Sequence, residues 1–281
     1  MTEQRKRSIL CPRCRKLVSS DEERCPYCGL SQPGAWWKGR FGRFFGDPQD
    51  LVRSIIWLNA ALFVLSVLLY PSRIGFSANP FAFLSPSDES LFMLGATGTI
   101  PIGIFKRWWT LVSANFLHGS ILHIFFNMMA LRQLGPFVAA EYGASRFISI
   151  YLLSGVAGFL VSYIAGIPFT IGASASLTGL IGAILYYGKS RGGLYGQAIY
   201  KQATGWVIGL AVIGLLVPAI NNWAHGGGLA CGILTGYIFG YEEKRPETYF
   251  HRILGALLVF LTAAILAWAL FQALFFRFAR M

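Results

Sequence analysis

Apolar residues run almost without interruption in seven stretches of this chain. They cover Ile55 to Tyr70, Ile121 to Ala139, Phe147 to Gly166, Ser174 to Tyr187, Trp206 to Ile220, Ala224 to Tyr241 and Ile253 to Phe275. Stretches near twenty residues cross a bilayer as helices, because a helix satisfies its own backbone where no water is available. The pattern therefore predicts an all-α polytopic membrane protein. The fourth run is short, about fourteen residues or roughly 21 Å as a helix. It follows the uncharged loop Ile167-Pro-Phe-Thr-Ile171, so it is expected to start below the membrane surface. In the sixth, Gly228, Gly232, Gly236 and Gly240 recur every four residues and predict a bare ridge, while Gly179 and Gly182 thin the fourth. Helices with such surfaces can pack backbone to backbone.

Composition sharpens this picture. Of 281 residues, 55% are apolar and only 13% charged, with a mean hydropathy of +0.54, which excludes an ordinary water-soluble enzyme. No acidic residue occurs between Glu141 and Glu242. The net charge of +12 reflects 24 Lys and Arg. With the N-terminus in the cytosol, nineteen of these fall on cytosolic segments; only Arg73, Lys106, Arg107, Arg277 and Arg280 fall outside. This asymmetry predicts N-in, C-out topology, as in the plasma membrane of a prokaryote, with the lipid bilayer rather than nucleic acid as the partner of the basic charge. No apolar stretch precedes Leu51, so no cleavable signal peptide is expected and the first span acts as its own insertion signal.

The cysteines add a second module. Cys11-Pro-Arg-Cys14 and Cys25-Pro-Tyr-Cys28-Gly are two knuckles separated by ten residues, a spacing at which paired turns wrap a tetrahedral metal. Two disulfides or an iron site are the alternatives; on the cytosolic side thiols stay reduced, which favours structural Zn2+ held by Cys11, Cys14, Cys25 and Cys28. The expected organisation is a zinc-ribbon-like cytosolic module over 1–32, with an unknown cytosolic partner, then a basic, aromatic linker over 33–52. A six-helix membrane core over 53–246 and a seventh transmembrane helix with a short tail over 247–281 complete it. Cys231, inside the sixth run, reads as inert packing.

Polar side chains within such runs are costly and mark a buried site. They cluster at the starts of the second, fourth and sixth runs: His118, His123 and Asn127, then Ser174 and Ser176, then His225. His123 and Asn127 stand four apart on one helix face. If all three runs begin at the same membrane face, three of the four histidines and a serine lie at one level. A serine becomes a nucleophile when a base takes its proton. With no acid in the membrane, the chemistry available is a Ser174–His225 dyad. His123, Asn127 and the Ser174 N–H could donate to an oxyanion. There is no HExxH, which argues against a zinc metalloprotease, and no carboxylate pair for an aspartyl-type enzyme.

From Arg107 to Gly240 the sequence resembles the rhomboid family of intramembrane serine proteases. The resemblance rests on Trp108-Trp109-Thr-Leu-Val-Ser-Ala-Asn-Phe-Leu-His118, the spacing of His118, His123 and Asn127, Gly172-x-Ser174, and Ala224-His225-x-x-Gly228-x-x-x-Gly232. It implies a rhomboid-like six-helix core with Ser174 as nucleophile, His225 as general base, and His123 with Asn127 in the oxyanion hole. His118 resembles the family's structural histidine, and the seventh span resembles the extra helix that some members append. No cofactor is implied for catalysis. The implied substrates are membrane proteins with helix-destabilised transmembrane segments, cut after a small residue; a catalytically inactive, membrane-protein-binding relative is the alternative. Two positions depart from the family pattern. Ala175 stands where Gly is usual, and its methyl is expected to narrow the oxyanion site. Thr110 stands where Arg is usual, so the first loop is expected to be anchored differently. Ser176 is expected to pack or to bond to backbone.

Overall fold

The computed structural model describes residues 8–11, 16–35, 48–70, 83–218 and 220–279. Cys14 and most of the expected linker lie outside these. At the N-terminal end, β1 (Ser8–Leu10) and β2 (Leu17–Ser19) pair antiparallel with Ile9 opposite Val18. Val18 turns inward against Cys11 and Cys25, with Ile9 and Leu30 around them. So small a core cannot sustain a fold by burial alone, and a metal or similar staple is the usual remedy.

All seven apolar runs fall on helices. These are α1 (Pro48–Leu69), α4 (Ile121–Tyr142), α5 (Ala144–Ile164), α6 (Ser174–Arg191), α7 (Gly193–Leu216), α8 (Asn222–Phe239) and α9 (Tyr249–Ala279). Between α1 and α4 lie α2 (Asp88–Leu94), a π-helical turn at Thr99–Ile104, α3 (Thr110–Ser113) and a 3-10 turn at Ala114–Phe116. Among the described residues, five helices are long and apolar enough to cross a membrane: Gln49–Leu69, Ile121–Tyr142, Ala144–Ile164, Gly193–Leu216 and Tyr249–Ala279. The two that fall short by composition are α6 and α8, the helices carrying Ser174 and His225. The reason is position. α6 is packed by α4, α5, α7 and α8, and twelve of its eighteen residues are buried, so its neighbours rather than its own side chains face lipid.

Two boundaries differ from the sequence reading. α6 spans eighteen residues rather than fourteen, continuing through Gly188-Lys-Ser-Arg191 until Gly192 turns left-handed at φ +67. α7 begins at Gly193, not near Trp206; its polar first half rests on α6, where a side chain at Gly188 would meet the Tyr200 nitrogen at 2.7 Å and the Gly196 oxygen at 2.9 Å.

The glycine ridge packs as expected over three of its four positions. Every buried residue of α8, namely Ala224, Gly228, Gly232, Thr235, Gly236 and Phe239, lies on one face. A Cβ at Gly228 would strike the Ala175 carbonyl, one at Gly232 the Gly179 carbonyl, and one at Gly182 the Leu229 carbonyl. Gly240 does something else: at φ +67 it ends α8, and its N–H bonds the Gly236 carbonyl. Gly158 of α5 completes the crossing, its Cα facing the Ala224 carbonyl and the Ala175 methyl.

At the opposite ends of these helices, Arg146 is fully buried. It donates to the Gly240 carbonyl at 2.8 Å and the Arg245 carbonyl at 2.7 Å, and pairs with Glu242 at 3.5 Å. Glu247 accepts from the Ser145 and Arg146 N–H groups at the start of α5, where a carboxylate also complements the helix dipole. These contacts fasten the α8–α9 connection to the α4–α5 turn.

Candidate active site

The site is assembled from three helix starts and a loop. Ser120 caps α4, its hydroxyl accepting the His123 N–H at 3.2 Å. That cap fixes the turn in which Gly119 N–H donates to His123 Nδ1 at 3.3 Å. A neutral imidazole whose Nδ1 accepts must carry its proton on Nε2, so Nε2 is the donor. It points at Gly172. A Cβ on that residue would lie 2.8 Å from Nε2 and 3.7 Å from Ser174 Oγ, and Gly172 adopts φ +125, a conformation that suits only glycine. The absence of a side chain there lets the His123 imidazole close on the Gly172 backbone, with the Ser174 hydroxyl beside the same point.

Asn127 is buried one turn along α4, and its Nδ2 donates to the His123 carbonyl at 2.8 Å. That bond uses one of two amide hydrogens. His118 is fully buried edge-on to His123, ring centroids 5.0 Å apart, and among the described residues neither of its nitrogens has a partner. His225 sits in the first turn of α8, its N–H bonded to the Asn221 carbonyl. The neighbours of Ser174 and His225, Ala175 and Ala224, meet at Gly158, which sets the two residues at one level. Among the described residues no hydrogen bond joins the serine to this ring, and His225 Nδ1 is buried without a partner. Such bonds often tighten only when substrate binds. A cavity of about 330 Å3 adjoins His225 between α6, α7 and α8. Its two polar neighbours are engaged elsewhere: Thr178 donates to the Ala175 carbonyl and Asn222 to the Gly214 carbonyl. Among the described residues no carboxylate lines it.

The two departures from the family pattern resolve differently. The Ala175 methyl is fully buried toward Gly158, among Ile102, Leu111, Ala114, Phe159 and Ala224. Thr110 donates to the Arg107 carbonyl at 2.6 Å and meets Thr97 Oγ1 at 3.0 Å. The cation of the first loop is Arg107, three residues earlier. Its guanidinium lies over the Phe92 and Trp109 rings at 4.7 and 4.5 Å and donates to the Phe92 and Met93 carbonyls at the end of α2. Burial lowers its pKa to about 10.

Sequence reasoning missed the groups that hold the site. Ser176 donates to Asn115 Oδ1 at 3.0 Å. Thr97 and Thr170 pair through both backbones, and Gly172 N–H bonds the Ala114 carbonyl, which ties the first loop to the segment leading into Ser174. Asn221 caps α8; an Asn three residues before the Ala224 N–H it caps was the available signal.

In the N-terminal module, the sulfurs of Cys11, Cys25 and Cys28 lie within 4.8 Å of one another, and Cys11 and Cys28 are 3.7 Å apart. That matches the edge of a zinc–thiolate tetrahedron, about 3.8 Å for bonds near 2.3 Å. Burial alone would raise the Cys25 pKa, but the Tyr27 and Cys28 N–H groups and the neighbouring thiols bring it down to about 7. The three cysteines are compatible with a metal site.

A rhomboid domain model matches residues 106–242. RHOMBOID-like protein 4 of Arabidopsis thaliana is 31% identical over 157 residues, 55% of this chain and 40% of the relative. RHOMBOID-like protein 1 of the same plant is 30% identical over 229 residues, 71% and 57% of the two chains. The rhomboid protease GluP of Bacillus subtilis is 32% identical over 175 residues, 62% and 34%. The chain thus spans between a third and three fifths of these relatives. The helices that carry Ser174, His225, His123 and Asn127 all lie inside the matched stretch, so the chain is an integral membrane protein whose residues 106–242 match the rhomboid domain.

Proposed function

We propose that the chain is an intramembrane serine endopeptidase that cleaves transmembrane segments of membrane proteins. One observation carries the reading: the His123 Nε2–H and the Ser174 hydroxyl converge on the same side of Gly172, where a side chain would collide with the imidazole. In this mechanism His225 takes the proton as Ser174 Oγ attacks the scissile carbonyl. The resulting oxyanion accepts from His123 Nε2, the free Asn127 amide hydrogen and the Ser174 N–H at the start of α6. His225 then protonates the leaving amine, and water releases the acyl group by the same steps in reverse. An unpartnered His225 Nδ1 with no carboxylate beside it fits a dyad rather than a triad.

The topology is N-in and C-out in the plasma membrane of a prokaryote. The N-terminal module is a zinc ribbon whose fourth ligand is Cys14, and residues 53–246 form the core with 247–281 appended. The test is labelling of purified protein in detergent with a serine-directed fluorophosphonate, alongside cleavage of a single-span model substrate. Both are expected for the natural chain and neither for Ser174→Ala or His225→Ala. An unlabelled natural chain that still captures the substrate would mark the inactive, binding relative instead.

A further inference from the structure

Under the dyad reading, the two reacting residues lie on separate elements. Ser174 follows the loop 167–173, and His225 follows the turn into α8. The glycine ridge sets how closely α6 and α8 approach, but it is smooth and does not by itself fix how far one helix slides along the other. At the catalytic end the Asn221 side chain ties the start of α8 to the loop before α6 and to α5. Asn221 Oδ1 accepts the Ala224 N–H at 3.1 Å, and its backbone carbonyl accepts the His225 N–H at 3.2 Å. Its Nδ2 donates to Thr170 Oγ1 at 3.0 Å and to Ser162 Oγ at 2.6 Å. Both amide hydrogens are used. Ser162 is fully buried and Thr170 nearly so, so water competes little for these bonds, and a bond in low dielectric holds its partners firmly.

Thr170 is itself rigid. It exchanges both backbone hydrogen bonds with Thr97, and two residues on, Gly172 N–H is held by Ala114. From the Asn221 backbone, which holds the His225 N–H, to the loop that leads into Ser174 there are thus two side chains and one hydrogen bond. We propose that Asn221 is a positioning residue that fixes Ser174 and His225 in register by clamping the start of α8 to Thr170. This inference rests on the dyad reading and adds to it a residue that touches neither substrate nor reacting atoms.

The test uses the full chain in detergent and separates the clamp from the helix cap. Asn221→Ser keeps a good capping oxygen but is too short to reach Thr170. Thr170→Val keeps shape and removes the acceptor, while Thr170→Ser keeps the acceptor. Asn221→Ser and Thr170→Val should each slow fluorophosphonate labelling and kcat by roughly tenfold to a hundredfold, the scale of a small misplacement of reacting groups, with KM within about twofold. The double variant should be no slower than the worse single one, since both break the same bond. Thr170→Ser should label like the natural chain. Natural labelling rates in Thr170→Val, multiplicative losses in the double variant, or a rise in KM in place of the fall in kcat would each overturn the clamp while leaving the dyad standing. If the natural chain itself is not labelled, the dyad and the clamp fall together. If Asn221→Ser does not fold, Thr170→Val against Thr170→Ser decides alone.

Discussion

Ser174 and Ser176 stand two positions apart on α6 and have opposite surroundings. Ser176 is fully buried and spends its hydroxyl on Asn115, sixty-one residues away in sequence, whereas the Ser174 hydroxyl lies beside Gly172 and the His123 ring. Ser176→Ala is therefore expected to cost about 1–2 kcal/mol of stability through an unsatisfied Asn115 oxygen, while keeping at least about a tenth of the cleavage rate, a barrier change below about 1.4 kcal/mol. Thermal melting and initial rates, measured together, check both halves; a dead but stable Ser176→Ala would move the nucleophile. Gly172→Ala is the converse case. Its Cβ would meet His123 at 2.8 Å in a backbone conformation that L side chains rarely adopt. Displacing that donor should slow labelling by about a hundredfold or more, the usual effect of losing an oxyanion donor, with little change in substrate affinity. The spacing of Gly172 and Ser174 was readable in the sequence. The partner of Ser176 was not, because no periodicity links residue 115 to residue 176.

At the scale of helices, the ridge of α8 makes a position-by-position prediction. A methyl at Gly232 would fall on the Gly179 carbonyl, backbone that cannot swing aside, whereas Gly226 has nothing within 4 Å. Gly232→Ala should lower stability by about 1–3 kcal/mol, as overpacking does, and Gly226→Ala should be close to neutral. Equal melting temperatures for the two variants in detergent would refute the backbone contact. The recurrence of glycine every four residues foretold this packing, yet the same spacing misassigned Gly240, since a helix end obeys backbone conformation rather than face. The first loop shows the same limit. Its missing Arg at position 110 was visible, but Arg107 as the replacement became evident only when Phe92 and Trp109 were found on either side of it.

Across the whole molecule, charge divides into what orients the chain and what holds it. Arg146 counted toward topology in the sequence, but the fold buries it fully against two carbonyls. Arg146→Ala should cost about 3–5 kcal/mol by stranding those groups. Glu242→Gln should cost far less, because that carboxylate is 40% exposed and screened by water. Similar melting temperatures for both variants would remove Arg146 from the structural account. The N-terminal module makes an independent prediction: about one zinc per chain, lost in Cys11→Ser/Cys14→Ser with cleavage by the membrane portion retained. Zinc requires thiolates, and the lowered Cys25 pKa keeps that ligand charged above about 7. Retention against a chelator should thus be full in mild alkali and weaken as pH falls, since protons compete with the metal for the sulfurs. Metal measured by emission spectroscopy after dialysis at each pH reads it directly, and metal loss with rising pH would contradict thiolate ligation. Orientation has its own check. A reporter after Met281 should lie outside and one near Gly192 inside; the reverse would sink the charge argument.

The sequence by itself determined that seven helices form, where polar residues interrupt them and which small residues let them meet. Those are local quantities: apolar length, glycine recurrence and the cost of a polar group in lipid. Only tertiary structure decided that α6 is enclosed and so tolerates its own polarity, and that the Ala175 methyl turns to Gly158 rather than toward His123. It also decided that Asn221, Thr170 and Thr97 connect the two halves of the site. Each of these depends on a contact between segments far apart in the chain, whose geometry is set by helix crossing and loop closure and leaves no period in the sequence.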